Sequence, residues 1–138
     1  MKSRLAVPVL LILVVFALSV PAANLPSKPP RIGKPVLVIS SFEHSFGEVT
    51  AGTPLSYSFE VKNRGESDLE IKSVNPSCGC TTTKFDKVVM PGKAGSITLA
   101  IEKTDGYKGE VTKTATVTTN DPNHETFTLT LRATFTAK

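Results

Sequence analysis

Tryptophan is missing from this chain of 138 residues, and there are only two cysteines, two histidines, two methionines and two tyrosines. Two cysteines are too few for a disulfide-dense scaffold or an iron–sulfur protein, and with two histidines they make at most one zinc site. Antibody-type domains pack a core tryptophan against a disulfide that joins two sheets, and neither feature can form here. Gly-x-Ser-x-Gly, His-Glu-x-x-His and phosphate-cradling glycine loops are also missing, which removes the common hydrolase, zinc-protease and nucleotide-binding classes. After residue 24 no stretch sustains a 3.6-residue apolar period, so helix is a minor component at most. What is present, 40% hydrophobic and 20% charged residues, is the composition of one packed globular domain.

The single long apolar run lies at the start. Lys2 and Arg4 precede Leu5 to Val20, and the run ends in Val20-Pro21-Ala22-Ala23. A basic start, an apolar middle and small residues at the end form the pattern of a secretory signal peptide, residues 1–22, with cleavage expected after Ala22 and Ala23 as the next candidate. An uncleaved anchor is the competing reading, but a membrane-spanning helix needs about 20 apolar residues and this run is shorter and holds Pro8. No cysteine follows the cleavage point, so lipid attachment there is excluded. Export predicts a periplasmic or extracellular location, where thiols tend to end as disulfides.

Removal of residues 1–22 takes away Lys2 and Arg4, leaving 14 basic residues against 12 acidic ones, a net charge of +2. The lysines are scattered and the aromatics few, so nucleic acid is not an expected partner. Residues 23–35 form a proline-rich linker with Pro26, Pro29, Pro30 and Pro35. In polyproline geometry Asn24 to Pro35 would reach roughly 37 Å. A membrane partner is expected only if the signal stays uncleaved, when this spacer would hold the domain off the surface.

Residues 36–138 read as strands. Leu55, Tyr57, Phe59 and Val61 alternate with Ser56, Ser58, Glu60 and Lys62, and Phe127, Leu129, Leu131, Ala133 and Phe135 alternate with threonines and Arg132. Such period-two patterning marks half-buried strands. Ile97 to Ile101 makes a third, and Val111 to Val117 a less regular fourth in which Lys113 falls on the inward face. Shorter candidates are Val36 to Ser41, Phe46 to Val49, Leu69 to Val74 and Val88 to Met90. Ala51-Gly52, Asn63-Arg64-Gly65, Pro91-Gly92, Asp105-Gly106 and Asn120-Asp121-Pro122-Asn123 separate them as turns. Strands with one apolar face are best buried by stacking two sheets. The expected fold is therefore all-β, an immunoglobulin-like antiparallel β-sandwich of seven to eight strands, with a small closed barrel as the alternative. Most phenylalanines, Phe42, Phe46, Phe59, Phe85, Phe127 and Phe135, fall in phase with that core.

Reactive side chains meet in one place, Asn75-Pro76-Ser77-Cys78-Gly79-Cys80-Thr81. A Cys78–Cys80 bond is feasible, because disulfides need Cα atoms about 4.4 to 6.8 Å apart and a bend at Gly79 brings i and i+2 into that range. Three readings stay open. A tight-turn disulfide or packed thiol pair is the first. Redox exchange is the second, since so small a loop stabilises little and Lys84 and Lys87 stand close in sequence to support a thiolate. The third is soft-metal capture, copper by two thiolates, or a zinc site completed by His44 and His124, whose distance in sequence makes zinc the weaker choice. Otherwise His44 and His124 read as exposed loop residues, and Glu66, Asp68 and Glu70 as an acidic edge without the ligand density of a calcium loop.

With these residues in view, the chain resembles the bacterial exported domain-of-unknown-function family 1573. The resemblance rests on Phe46-Gly47-Glu48-Val49 with Gly52, on Phe59-Glu60-Val61-Lys62-Asn63 with Gly65, and on Ser77-Cys78-Gly79-Cys80-Thr81-Thr82. It continues through Pro91-Gly92, Gly109 and Val117-Thr118-Thr119-Asn120-Asp121-Pro122, so that it spans about residues 42 to 136. Likeness to Hydin-type and major-sperm-protein-like sandwiches implies the immunoglobulin-like fold and, by analogy, a binding or scaffolding role. The expectation is a non-enzymatic envelope module with a protein partner, no catalytic residues and no cofactor. A redox or copper-binding thiol protein is the alternative, with Cys78 and Cys80 as its site and Gly79, Thr81 and Lys84 in support.

Overall fold

The computed structural model describes residues 33–137. The expected signal peptide at 1–22 and most of the expected linker at 23–35 lie outside the described residues. Nine strands follow one another: β1 (Leu37–Ile39), β2 (Glu43–Thr50), β3 (Leu55–Asn63), β4 (Leu69–Pro76), β5 (Thr81–Phe85), β6 (Val88–Val89), β7 (Ala94–Ile101), β8 (Gly109–Thr119) and β9 (Thr126–Thr136). They form a four-stranded sheet in the order β1-β3-β7-β5 and a five-stranded sheet in the order β2-β9-β8-β4-β6. This is the immunoglobulin-like sandwich that the alternation predicts.

Two details differ from expectation. The count exceeds seven to eight because of β5, whose inward positions are Thr81, Thr83 and Phe85 and so offer no run of alternating aliphatics. Pairing is not antiparallel throughout: β2 runs parallel to β9, with a shift of register between Ser45 and Glu48.

The alternating side chains meet between the sheets. Phe59, Val61, Ile97 and Leu99 from one sheet face Leu69, Val117, Leu129 and Leu131 from the other, all buried. Burying a Leu, Val, Ile or Phe side chain stabilises by roughly 1.5 to 3 kcal/mol, so this layer carries most of the fold. Phe59 and Phe135 belong to it, and Phe46, Phe85 and Phe127 pack partly buried against it. Phe42 does not: it is 41% exposed and lies edge-on to Phe127.

Register defines the two ends of the sandwich. Leu37 of β1 pairs with Asn63 at the close of β3, whereas Leu55 at the opening of β3 and Thr81 at the opening of β5 both pair with Ile101. The first strand thus begins at one end, and the Cys-Gly-Cys loop caps the other.

Candidate functional site

Cys78 and Cys80 are joined by a disulfide, with their Cα atoms 5.4 Å apart. The loop that carries them leaves β4 of one sheet and enters β5 of the other. It is fixed by backbone bonds on both sides of the sulfur pair. The Ser77 N–H donates to the Thr114 carbonyl at 2.8 Å, the Thr114 N–H donates to the Ser77 hydroxyl at 3.3 Å, and the Thr81 N–H donates to the Cys78 carbonyl at 3.3 Å. Thr81 itself is buried, and its Oγ1 lies 3.9 Å from Cys78 Sγ. Gly79 makes the bend without a left-handed backbone, and a Cβ placed on it would meet nothing within 4 Å. The surface over the ring is open.

Tyr107 is the residue that sequence reasoning missed. Its hydroxyl donates to Cys80 Sγ at 3.2 Å, from the β7–β8 loop. That loop is positioned by Thr104, fully buried, whose hydroxyl donates to the Thr53 carbonyl at 2.8 Å and whose carbonyl accepts the Tyr107 N–H at 3.1 Å. The tyrosine ring packs edge-on against Phe135, centroids 5.2 Å apart, and Lys113 Nζ stands 4.8 Å over its face. Cation–π contacts of this kind stabilise by about 0.5 to 1 kcal/mol at exposed sites. Lys113, unexpected on an inward position, is thereby explained. Through that ring it stands beside the residue that bonds Cys80. Lys84 faces outward, opposite in phase to Thr81 on β5, and Lys87 lies beyond the far end of that strand.

The histidines are engaged elsewhere, and neither is a free loop residue. His44 lies on β2 and stacks on Tyr57 of β3, centroids 3.6 Å apart and planes at 7°. His124 Nδ1 is 3.1 Å from Asp121 Oδ2, in the turn at the opposite end of the sandwich from the cysteines. A Cys₂His₂ zinc arrangement is therefore not formed, and the described residues hold no cluster of three or more His, Cys, Asp or Glu suited to a metal.

Asp121 and Asn63 build that opposite end. Asp121 is fully buried; its Oδ2 accepts the Leu37 N–H at 2.8 Å and its Oδ1 the Asn123 N–H at 2.9 Å. Burial pushes this carboxyl upward, but the Asn123 and Leu37 amides and the adjacent His124 together hold it below its ordinary value. Asn63, also fully buried, accepts from Gly65 and Val36 through Oδ1 and donates to the Ser67 and Val89 carbonyls through Nδ2. Gly65 has no room for a side chain there, since a Cβ would fall 2.2 Å from the Lys34 carbonyl oxygen. Asn120 completes the clamp by accepting the Glu70 N–H at 2.8 Å and donating to the Asp68 carbonyl at 3.1 Å. The Asn-x-Gly and Asn-Asp-Pro marks noted in the sequence are thus one structural device.

The described residues thus form an immunoglobulin-like two-sheet sandwich with a Cys-Gly-Cys cap at one end and an Asn/Asp clamp at the other. The chain belongs to the family described as "Protein of unknown function (DUF1573)", which it matches over residues 37–135. Among curated proteins none matches this sequence. A protein of unknown function from Porphyromonas gingivalis W83 is similar in structure, with a TM-score of 0.65 and 20% identity. The match covers 80% of this chain and 51% of that one, so the chain spans about half the length of that protein. The ASH / PapD-like domain 7 of human CEP192 is similar with a TM-score of 0.57 and 13% identity, covering 81% of this chain and 91% of that one. The YadV chaperone is similar with a TM-score of 0.52 and 15% identity, covering 71% of this chain and 51% of that one. At such identities these likenesses establish the fold alone. The family description indicates no catalytic role.

Proposed function

We propose that this chain is an exported, non-enzymatic module of the bacterial cell envelope that binds another protein by accepting a strand along β5. Support comes from the N-terminal signal pattern, from a fold shared with a protein named as a chaperone, and from how the sheet edges are built.

Of the four edge strands, β1 has three residues and β6 two, too short to offer a template, and β2 carries its break in register beside Gly47. Short strands and bulges are the usual ways of blunting an edge. β5 is different. It pairs with β7 over five residues without a register shift, and among the described residues no strand pairs with its other side. Val88 and Met90, which follow it in the chain, are half-exposed apolar side chains. The regular free edge of β5 carries the proposal.

A photo-crosslinking residue at Thr82, in the full chain produced in its own envelope, is expected to form a defined adduct. The same residue at Thr128, exposed on the outer face of β9, is expected to form none. Thr83→Pro, which removes an N–H on the free side of β5 because Lys84 and Asp86 bond β7, should abolish the Thr82 adduct. Equal crosslinking at both positions, or none at Thr82, overturns docking at this strand.

A further inference from the structure

We infer that the Cys78–Cys80 bond is a polarised thiol–disulfide exchange site, in which an incoming thiolate attacks Cys78 and Cys80 departs as a thiolate held by Tyr107. The inference does not depend on docking at β5.

The bond has little structural work. Disulfides stabilise chiefly by closing long loops in the unfolded chain, and this one closes a loop with a single intervening residue. The fold on either side is secured without it, by the Ser77–Thr114 bonds on the β4 side and by the pairing of β5 with β7 from Thr81 onward. Opening the ring therefore leaves β4 and β5 where they are. Access is also provided, since both cysteines are partly exposed and Gly79 between them is exposed.

The two sulfurs stand in different surroundings. Cys80 Sγ accepts a hydroxyl hydrogen bond at 3.2 Å, while the hydroxyl nearest Cys78 Sγ stands off at 3.9 Å. A disulfide sulfur is a weak acceptor and a thiolate a strong one, so the Tyr107 bond tightens as negative charge develops on Cys80. Lys113, over the same ring, adds positive potential on that side. Exchange runs faster the better the leaving sulfur carries charge, which directs attack to Cys78.

The partner is a dithiol on a protein or peptide. Its first thiolate forms a bond to Cys78 Sγ as the Cys78–Cys80 bond breaks, and the electron pair leaves on Cys80. Its second thiolate then forms the partner's own disulfide by displacing Cys78. Two electrons and two protons pass from the dithiol to the Cys78/Cys80 pair, so the partner is oxidised and this chain reduced.

The purified chain, treated with reduced glutathione and quenched at once with N-ethylmaleimide, should carry glutathione mainly on Cys78 and maleimide on Cys80, by peptide mass mapping. Tyr107→Phe keeps the ring on Phe135 and under Lys113 but removes the donor. It should slow reduction by dithiothreitol about five-fold, the worth of one hydrogen bond, and bring the two adducts toward equal yield. Glutathione found mainly on Cys80 overturns the inference. So does an adduct ratio that Tyr107→Phe leaves unchanged, or a bond that millimolar dithiothreitol does not open in the folded chain. The wild-type adduct map decides the polarity even if the variant folds poorly.

Discussion

At the end where β1 begins, Asn63 and Asp121 are wholly buried and bond backbone groups from several distant segments. At the other end Cys78, Cys80 and Tyr107 are each partly exposed, and the sulfur pair is tied to its surroundings through two hydroxyls, that of Tyr107 at 3.2 Å and that of Thr81 at 3.9 Å. Both ends hold polar groups in a small domain, but the consequences of losing them differ. A buried donor or acceptor without a partner costs the full desolvation of that group, so the clamp is a stability element that tolerates no change. The cysteine cap has no such penalty attached and is free to change its bonding state. Reactivity sits where the fold depends on it least.

That contrast is open to direct test. Asn63→Ala should have the largest effect, a loss of about 3 kcal/mol in urea unfolding, because it strands the Ser67 and Val89 carbonyls and two amides at once. A loss below about 1 kcal/mol would mean the clamp is not the main polar support.

Asp121→Ala should cost about 2 kcal/mol by the same measurement. Its pH dependence sharpens the point. The carboxyl is held below its ordinary value when folded, so its contribution is complete above the unfolded pKa of about 3.9 and is lost as pH falls through the lower folded value. Wild-type stability should therefore decline more steeply below about pH 4 than that of Asp121→Ala, compared by thermal unfolding at a series of pH values.

At the opposite end, Cys78→Ala with Cys80→Ala should lower stability by no more than about 1.5 kcal/mol, the chain-entropy limit for so short a loop. A larger loss, with a changed denaturant slope, would make the bond a structural staple. Gly79→Ala should be smallest, within about 0.5 kcal/mol of wild type, since neither backbone conformation nor space requires glycine there. Gly79→Leu, equally tolerated in stability, should slow opening of the disulfide by dithiothreitol by covering the ring.

The sandwich was legible wherever apolar residues alternate, as in Leu55 to Val61 and Phe127 to Phe135, because a period of two leaves one way to bury a face. β5 escaped because Thr81 and Thr83 occupy inward positions with hydroxyl-bearing side chains that read as surface. Asn63 and Asp121 read as turn formers, which they also are; their burial follows from partners such as Leu37, 84 residues from Asp121, that no local pattern reveals. Within the site, the cysteine pair announced itself by proximity. Tyr107, 27 residues further on, did not, and its single trace was the inward phase of Lys113, the cation that covers its ring.

The nine residues of β3 separate Leu37's partner from the strand ends beneath the cysteine cap, about 26 Å at roughly 3.3 Å per residue step. A macromolecule that docks on the Asn63/Asp121 clamp sits at one pole, and one that reaches sulfur works at the other. Two such companions can occupy the domain together without touching, so occupancy at one pole need not silence the other.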